Sequence, residues 1–258
     1  MSPEKETSKR QLRREEMRRR SQRQRLMTIG FIILGALLIV APIVYQMLRP
    51  VAQVVAVDPG THPNPIDNAM GDPNAPIKIE EFSDFQCPFC ERFHEETEPL
   101  LRQYYIDTGK VQFVYRSMGN WVSGNIGGGR TESQDSALAS YCAGEQNKFW
   151  EMHAHLFANV LGEDAGSFTD KRIYAIAEKI EGLDVDQFNS CYDSGKYDDR
   201  VEQDMQDGLA ANIDGTPGFL VTYTVDGETK TKLIEGAQPF SVFQQELEAA
   251  LNEMGVAE

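Results

Sequence analysis

The sequence predicts an α/β domain held behind a single N-terminal membrane helix. Three observations predict it. Residues 27–48 form a run of 22 without a charge. A β-forming segment, residues 77–85, leads directly into Cys87-Pro88-Phe89-Cys90 and then into a helical pattern. Far downstream, two alternating strands flank Asp226-Gly227, and several helical patterns lie in between.

Composition bounds the problem. The 258 residues are 41% hydrophobic and 25% charged, which fits one domain plus extras, or two small domains. Large apolar residues are too abundant for a disordered chain, and no Gly-x-y period is present. Four cysteines are too few for a disulfide scaffold. A net charge of −15 argues against a nucleic-acid partner, which needs surplus Lys and Arg to neutralise phosphates. The charge is also divided. Ten basic and four acidic residues give residues 1–25 a net +6, leaving −21 for the rest.

The uncharged run is long enough to cross a bilayer core of about 30 Å at 1.5 Å per residue. Residues 1–26 form a basic tail before it, and only Arg49 follows closely. The positive-inside rule therefore places the tail in the cytoplasm and the rest outside. A cleaved signal peptide is the rival reading. The long basic region, the length of the apolar run and the lack of an A-x-A site favour an uncleaved anchor. Residues 49–76 hold six of the twelve prolines. They are expected to be a semi-rigid spacer, with His62 in solvent.

Cys87 is expected at a helix N-terminus, where free N–H groups and the helix dipole favour a thiolate. Cys90 lies one turn further in. Pro88 suits the first helical turn, where its missing N–H has no intrahelical partner. Two blander readings compete: an inert disulfide and half of a zinc site. Zinc needs a further ligand pair, and Cys142 and Cys191, 49 residues apart, do not form a second C-x-x-C.

The segment Glu81-Phe82-Ser83-Asp84-Phe85-Gln86-Cys87-Pro88-Phe89-Cys90 resembles the active-site segment of DsbA-like thiol:disulfide oxidoreductases of the thioredoxin superfamily. It is most similar to the membrane-anchored branch in bacteria that lack a typical soluble DsbA. Asn212-Ile213-Asp214-Gly215-Thr216-Pro217-Gly218-Phe219-Leu220-Val221 is similar to the family's cis-proline loop and following strand. The resemblance covers about residues 70–255. It implies a thioredoxin fold with an inserted helical domain, here at about 131–212. It also implies that a cis Thr216-Pro217 bond lies beside the cysteines and that the Thr216 backbone pairs with extended substrate. A carboxylate at the position of Glu81 would assist the proton transfers of the inner cysteine, with its pKa raised by burial. The alternative is a surface glutamate, because only one of Glu80 and Glu81 faces inward. Phe89 departs from the Pro-His dipeptide of strongly oxidising members. It leaves the helix terminus to supply most of the thiolate stabilisation.

Helical patterns are expected over residues 91–105, 133–144 and 146–160. Further ones start at Thr169, at Asp184 and at Ser194, the last over residues 196–212. Strands are expected at 219–225 and 229–234, and a closing helix at 239–254. With Cys87 and Cys90 paired, Cys142 and Cys191 remain; they are expected to form a structural disulfide, against two unpaired core thiols or a second redox relay. His94, His153 and His155 are read as structural or solvated, so no metal is expected. Trp150 and Met152 are read as core residues. Residues 124–130, Gly-Asn-Ile-Gly-Gly-Gly-Arg, lack the lysine of a phosphate loop and read as a flexible loop. The family usually has a proline-containing turn there.

The resemblance implies an extracytoplasmic domain on a bacterial cytoplasmic membrane. It would introduce disulfides into reduced exported proteins and be reoxidised by a quinone-linked membrane oxidase. No cofactor is expected. A reductase or isomerase using the same cysteines, and a non-catalytic binding module of the same fold, remain alternatives.

Overall fold

A computed structural model describes residues 4–48 and 52–256. They fall into two units, divided between Val51 and Ala52. The first is helix α1 (Glu4–Leu48). Its stretch Gln11–Pro42 is long and apolar enough to cross a membrane, by length and composition. The expected boundary between basic tail and span is thus a change of composition within one helix. Residues 49–51, including Arg49 and Pro50 of the expected spacer, lie outside the described residues.

The second unit is built on a five-stranded sheet in the order β1-β3-β2-β4-β5. The strands are β1 (Ala69–Met70), β2 (Ile77–Ser83), β3 (Val111–Ser117), β4 (Gly218–Val225) and β5 (Glu228–Glu235). β2 pairs with β3 in parallel and with β4 antiparallel. Asp226 and Gly227, both at positive φ, make the two-residue turn of the β4–β5 hairpin. β3 has no counterpart among the expected elements, although its burial alternates strictly from Val111 to Ser117.

Alternation along β2 sends Ile77, Ile79 and Glu81 to one face and Glu80 and Phe82 to the other. The first face packs on α2 (Pro88–Glu96) and α10 (Phe240–Glu253) through a cluster of phenylalanines. Phe93 lies 4.5 Å from Phe219 and 5.6 Å from Phe243, centroid to centroid. The second face packs on α9 (Asp198–Ala210). There Arg116 of β3 binds Glu80 at 2.9 Å, Asp204 at 2.5 Å and also Asp207. Gly208 sits where a Cβ would lie 2.7 Å from Phe82 Cδ1 and 2.8 Å from Met118 Sδ. Gly208→Ala is therefore expected to lower stability by about 1–3 kcal/mol in urea unfolding, the overpacking outweighing its helix propensity.

The helical insertion between β3 and β4 comprises α4 (Trp121–Ile126), α5 (Glu132–Gly144), α6 (Phe149–Phe157), α7 (Asp170–Ala177), α8 (Val185–Asp193) and α9. The single helix expected over 91–105 is divided into α2, α3 (Glu98–Leu101) and a π-helical turn at Arg102–Ile106. Pro99 has no N–H for the helical ladder, and the break falls at Thr97. Ser194 does not begin α9. Its hydroxyl donates to the Cys191 carbonyl at 2.7 Å and closes α8, and Gly195 at positive φ turns the chain before α9. The loop expected from residue 124 starts later: residues 124–126 belong to α4, and Gly127, Gly128 and Gly129 follow at positive φ.

Residues 52–76 do not form a free spacer. Arg172 donates to the Ala52 carbonyl at 2.7 Å, and the Asn159 side chain bonds both N–H and C=O of Val55. Trp150 Nε1 donates to the Ala69 carbonyl, and β1 pairs with β3. His62 is correspondingly half-buried, stacked on Trp150 at 5.3 Å, and its pKa is lowered by burial. Proline density specified an extended backbone, but polar partners on α6, on α7 and at Asn159 between them, distant in sequence, bind it to the domain.

Candidate active site

The β2–β4 register places Phe82 opposite Gly218 and Glu81 opposite Phe219. It therefore carries the end of β2, where the C-x-x-C follows, to the start of β4, which Thr216-Pro217 precedes. The Thr216-Pro217 bond is cis. The Cys87 thiol donates to the Thr216 carbonyl at 3.4 Å. Pro217 has no N–H to offer there.

Cys87 is the N-cap of α2, with extended backbone, and Pro88 fills the first helical position. Asp84 holds the approach. Its carboxylate accepts from the N–H of Gln86 and of Val122, both at 2.9 Å, and its carbonyl accepts from Cys87 N–H. Burial pushes the Asp84 carboxyl up to about 6. The Gln86 side chain donates to Ser123 and Ser133 and accepts from Asp164 N–H at 2.6 Å. Asp84 and Gln86 thus lash the Cys87–Cys90 turn to the helical insertion. Neither carries a spacing signature in the sequence.

The two sulfurs differ sharply. Cys90 is fully buried and Cys87 is 6% exposed. The Cys87 thiol is pulled down to about 6 from 9.0. The largest cause is the Cys90 S–H donating to it; burial opposes; the Thr216 side chain and the N–H groups of Cys90 and Phe89 add to it. The neighbouring thiol therefore leads, the Thr216 side chain follows, and the N–H groups of the helix terminus come after it, whereas the sequence reading put the terminus first. A dianion in so small a space is unfavourable, and burial pushes Cys90 well above its ordinary value. Phe89 is 54% exposed, under the Arg92 guanidinium at 5.1 Å, and supplies no hydrogen bond to sulfur from its side chain.

Glu81 points into the main core and is 2% exposed. Burial pushes its carboxyl up to about 8. Its charge is felt by both Cys87 and Cys90. Glu80 joins the Arg116 network on the opposite face, so both glutamates are covered, in different environments.

Cys87 opens onto a shallow groove of about 330 Å³ lined by Phe89, Trp121, Val122, Ile126, Glu163 and Thr216. Ile126 is 51% exposed on its rim. The α4 residues of this groove were not singled out from the sequence. Cys142 and Cys191 lie apart from this site and form a disulfide that joins α5 to α8. Closing a loop of that length stabilises by roughly 4 kcal/mol on the chain-entropy model. His155 is a structural residue: Nδ1 bonds the Glu151 carbonyl and Nε2 accepts from Val57 N–H.

A family model described as Thioredoxin matches residues 64–234. The chain belongs to the thioredoxin family. Within it, the fold is that of DsbA-like proteins. The oxidised BdbD of Bacillus subtilis aligns with a TM-score of 0.60 at 21% identity, over 78% of this chain and all of that one. Wolbachia pipientis alpha-DsbA1 aligns with a TM-score of 0.58 at 22% identity, over 76% and 96%. In sequence, this thioredoxin-family chain is 30% identical over 168 residues to an Na(+)/H(+) antiporter NhaA 3 of Salinispora tropica. That match takes in 65% of this chain but spans only 22% of the antiporter's length. It is 24% identical over 200 residues to a probable disulfide bond formation protein D of Bacillus anthracis, covering 76% of this chain and 87% of that one.

Proposed function

We propose that the protein is an extracytoplasmic thiol:disulfide oxidoreductase that introduces disulfides into exported proteins. The observation that carries this reading is the asymmetry of the sulfurs: a stabilised thiolate at Cys87 and a sealed, protonated Cys90. In the oxidised enzyme, a substrate thiolate attacks Cys87 Sγ, and the Cys87–Cys90 bond breaks. A mixed disulfide forms, and Cys90 leaves as a thiolate that takes up a proton. A second substrate thiolate then attacks the substrate sulfur of the mixed disulfide and expels Cys87 as a thiolate. Two electrons pass from the substrate dithiol to the enzyme pair. A good leaving group speeds the second displacement, and a stabilised reduced form makes the pair an oxidant.

In this reading Glu81 exchanges the Cys90 proton, its raised pKa setting it near neutral pH. Thr216 presents its backbone to an extended substrate segment, and Pro217 keeps an N–H away from the sulfur. Phe89 and Ile126 offer the groove an apolar surface that suits unfolded chains. Helix α1 anchors the domain, with the basic tail in the cytoplasm. A quinone-linked membrane oxidase reoxidises the pair. The domain organisation read from the sequence enters this proposal with one change: the exported domain begins near Ala52, not at 77.

Equilibration with glutathione tests the direction. Pairs whose reactive cysteine has a pKa near 7 and near 3.5 lie at about −270 and −120 mV. A value near 6 interpolates to about −230 mV. A potential in that region, with peptide oxidation abolished in Cys87→Ser, supports an oxidase. A potential at or below about −270 mV would point to a reductase.

A further inference from the structure

The geometry points to a metal site that joins the active-site helix to the helical insertion: His94 of α2, Glu98 of α3 and His153 of α6 as ligands to a zinc-class divalent ion. One ligand atom of each residue lies within 4.8 Å of the others. His94 Nδ1 already contacts Glu98 Oε2 at 2.6 Å. The ring of His153 stands 4.8 Å from that of His94, nearly perpendicular.

A second observation marks the cluster independently. His153 is 1% exposed, and neither ring nitrogen has a hydrogen-bond partner. A buried imidazole normally satisfies at least its N–H, and leaving a polar group unpaired costs about 1–3 kcal/mol. Its ring also meets the aromatic rings of Phe85, Tyr115, Phe149, Trp150 and Phe157. Beside these rings lie His94 and Glu98. In its neutral form an imidazole has a lone pair on one ring nitrogen to give to a metal. His62 is felt electrostatically by both His153 and Glu98 from the stacked position on Trp150.

Two imidazoles and a carboxylate are the borderline donor set that zinc shares with catalytic three-ligand sites. At bond lengths of about 2.0 Å, tetrahedral ligands sit roughly 3.3 Å apart, so side-chain shifts of about 1 Å close the cluster. The His94 side chain is 22% exposed and leaves a path for the ion and for water in the remaining position. The ion would neutralise the charge of Glu98, which raises the pKa of Glu81, and would brace α2 below the cysteines.

The test uses the full chain in detergent with Cys87 and Cys90 both changed to Ser, which removes thiolate ligands. Titration calorimetry with Zn²⁺ is expected to give one ion per chain with a micromolar or tighter constant. Co²⁺ is expected to give tetrahedral d–d absorption. His153→Phe, which keeps the aromatic packing, should weaken Zn²⁺ at least a hundredfold. If that variant does not fold, His94→Asn, at the partly exposed ligand, should weaken it at least tenfold while the metal-free protein keeps its folded circular-dichroism spectrum. No Zn²⁺ uptake at 100 µM, or uptake that persists in whichever of the two variants folds, overturns the assignment.

Discussion

Iodoacetamide should label Cys87 of the reduced protein at a rate that rises with pH to an inflection near 6, rather than near 9. At pH 6 half of the Cys87 population is thiolate, against about one in a thousand for a thiol titrating at 9.0. The cause makes a second, sharper expectation. The Cys90 S–H contributes most to holding the thiolate, so Cys90→Ala should raise the inflection by one unit or more. The same shift has a sign in stability. The folded pKa is depressed, so the stabilisation is complete above the unfolded value of 9 and is lost as pH falls through 6. Over the whole window it amounts to about 4 kcal/mol in favour of the reduced fold, and at pH 7 to about 1 kcal/mol. Reduced protein should therefore gain urea resistance from pH 6 to pH 9 relative to Cys87→Ala. A labelling profile that climbs unchanged to pH 9 would remove the physical basis of the proposed oxidase.

Glu81→Gln should stabilise the protein and slow it. The Glu81 carboxyl is pushed from 4.5 to about 8 by burial. Below pH 4.5 both folded and unfolded states hold the proton, and no cost arises. Between 4.5 and 8 the unfolded state releases it while the folded state retains it, so stability falls with rising pH. At pH 7 the accumulated cost is about 3 kcal/mol, and above pH 8 it levels off. Gln cannot ionise, so Glu81→Gln should recover most of this in urea unfolding at pH 7 and little at pH 4. If Glu81 moves the Cys90 proton, the same variant should lower the rate of thiol exchange on the order of a hundredfold. Stabilisation without a loss of rate would leave Glu81 as a buried acid with no part in the chemistry.

Much of this architecture was legible along the chain. Residues 27–48 declare an apolar helix because charge is expensive in hydrocarbon and its absence over 22 residues is conspicuous. The β4–β5 hairpin was legible at Asp226-Gly227 because a two-residue turn needs positive φ at both positions. The α2 N-terminus was legible from Pro88 for the equally local reason that its N–H is missing. By contrast, the helix expected over 91–105 overlooked Pro99, and β3 passed unmarked despite a period of two.

What the amino-acid order determined by itself is therefore the set of local elements and the spacing of Cys87 and Cys90 on one helical turn. Only the tertiary structure decided which groups meet that turn. The β2–β4 register brings Thr216 to Cys87 across 129 residues, α4 and α5 receive Gln86, and α6 brings His153 to His94. It also decided that residues 52–76 dock on the domain and that Glu81, not Glu80, enters the main core. The reason is physical: turns, caps and membrane spans are set by forces within a few residues. A shifted pKa depends on burial and on partners from other elements, and no spacing in one strand or helix encodes those.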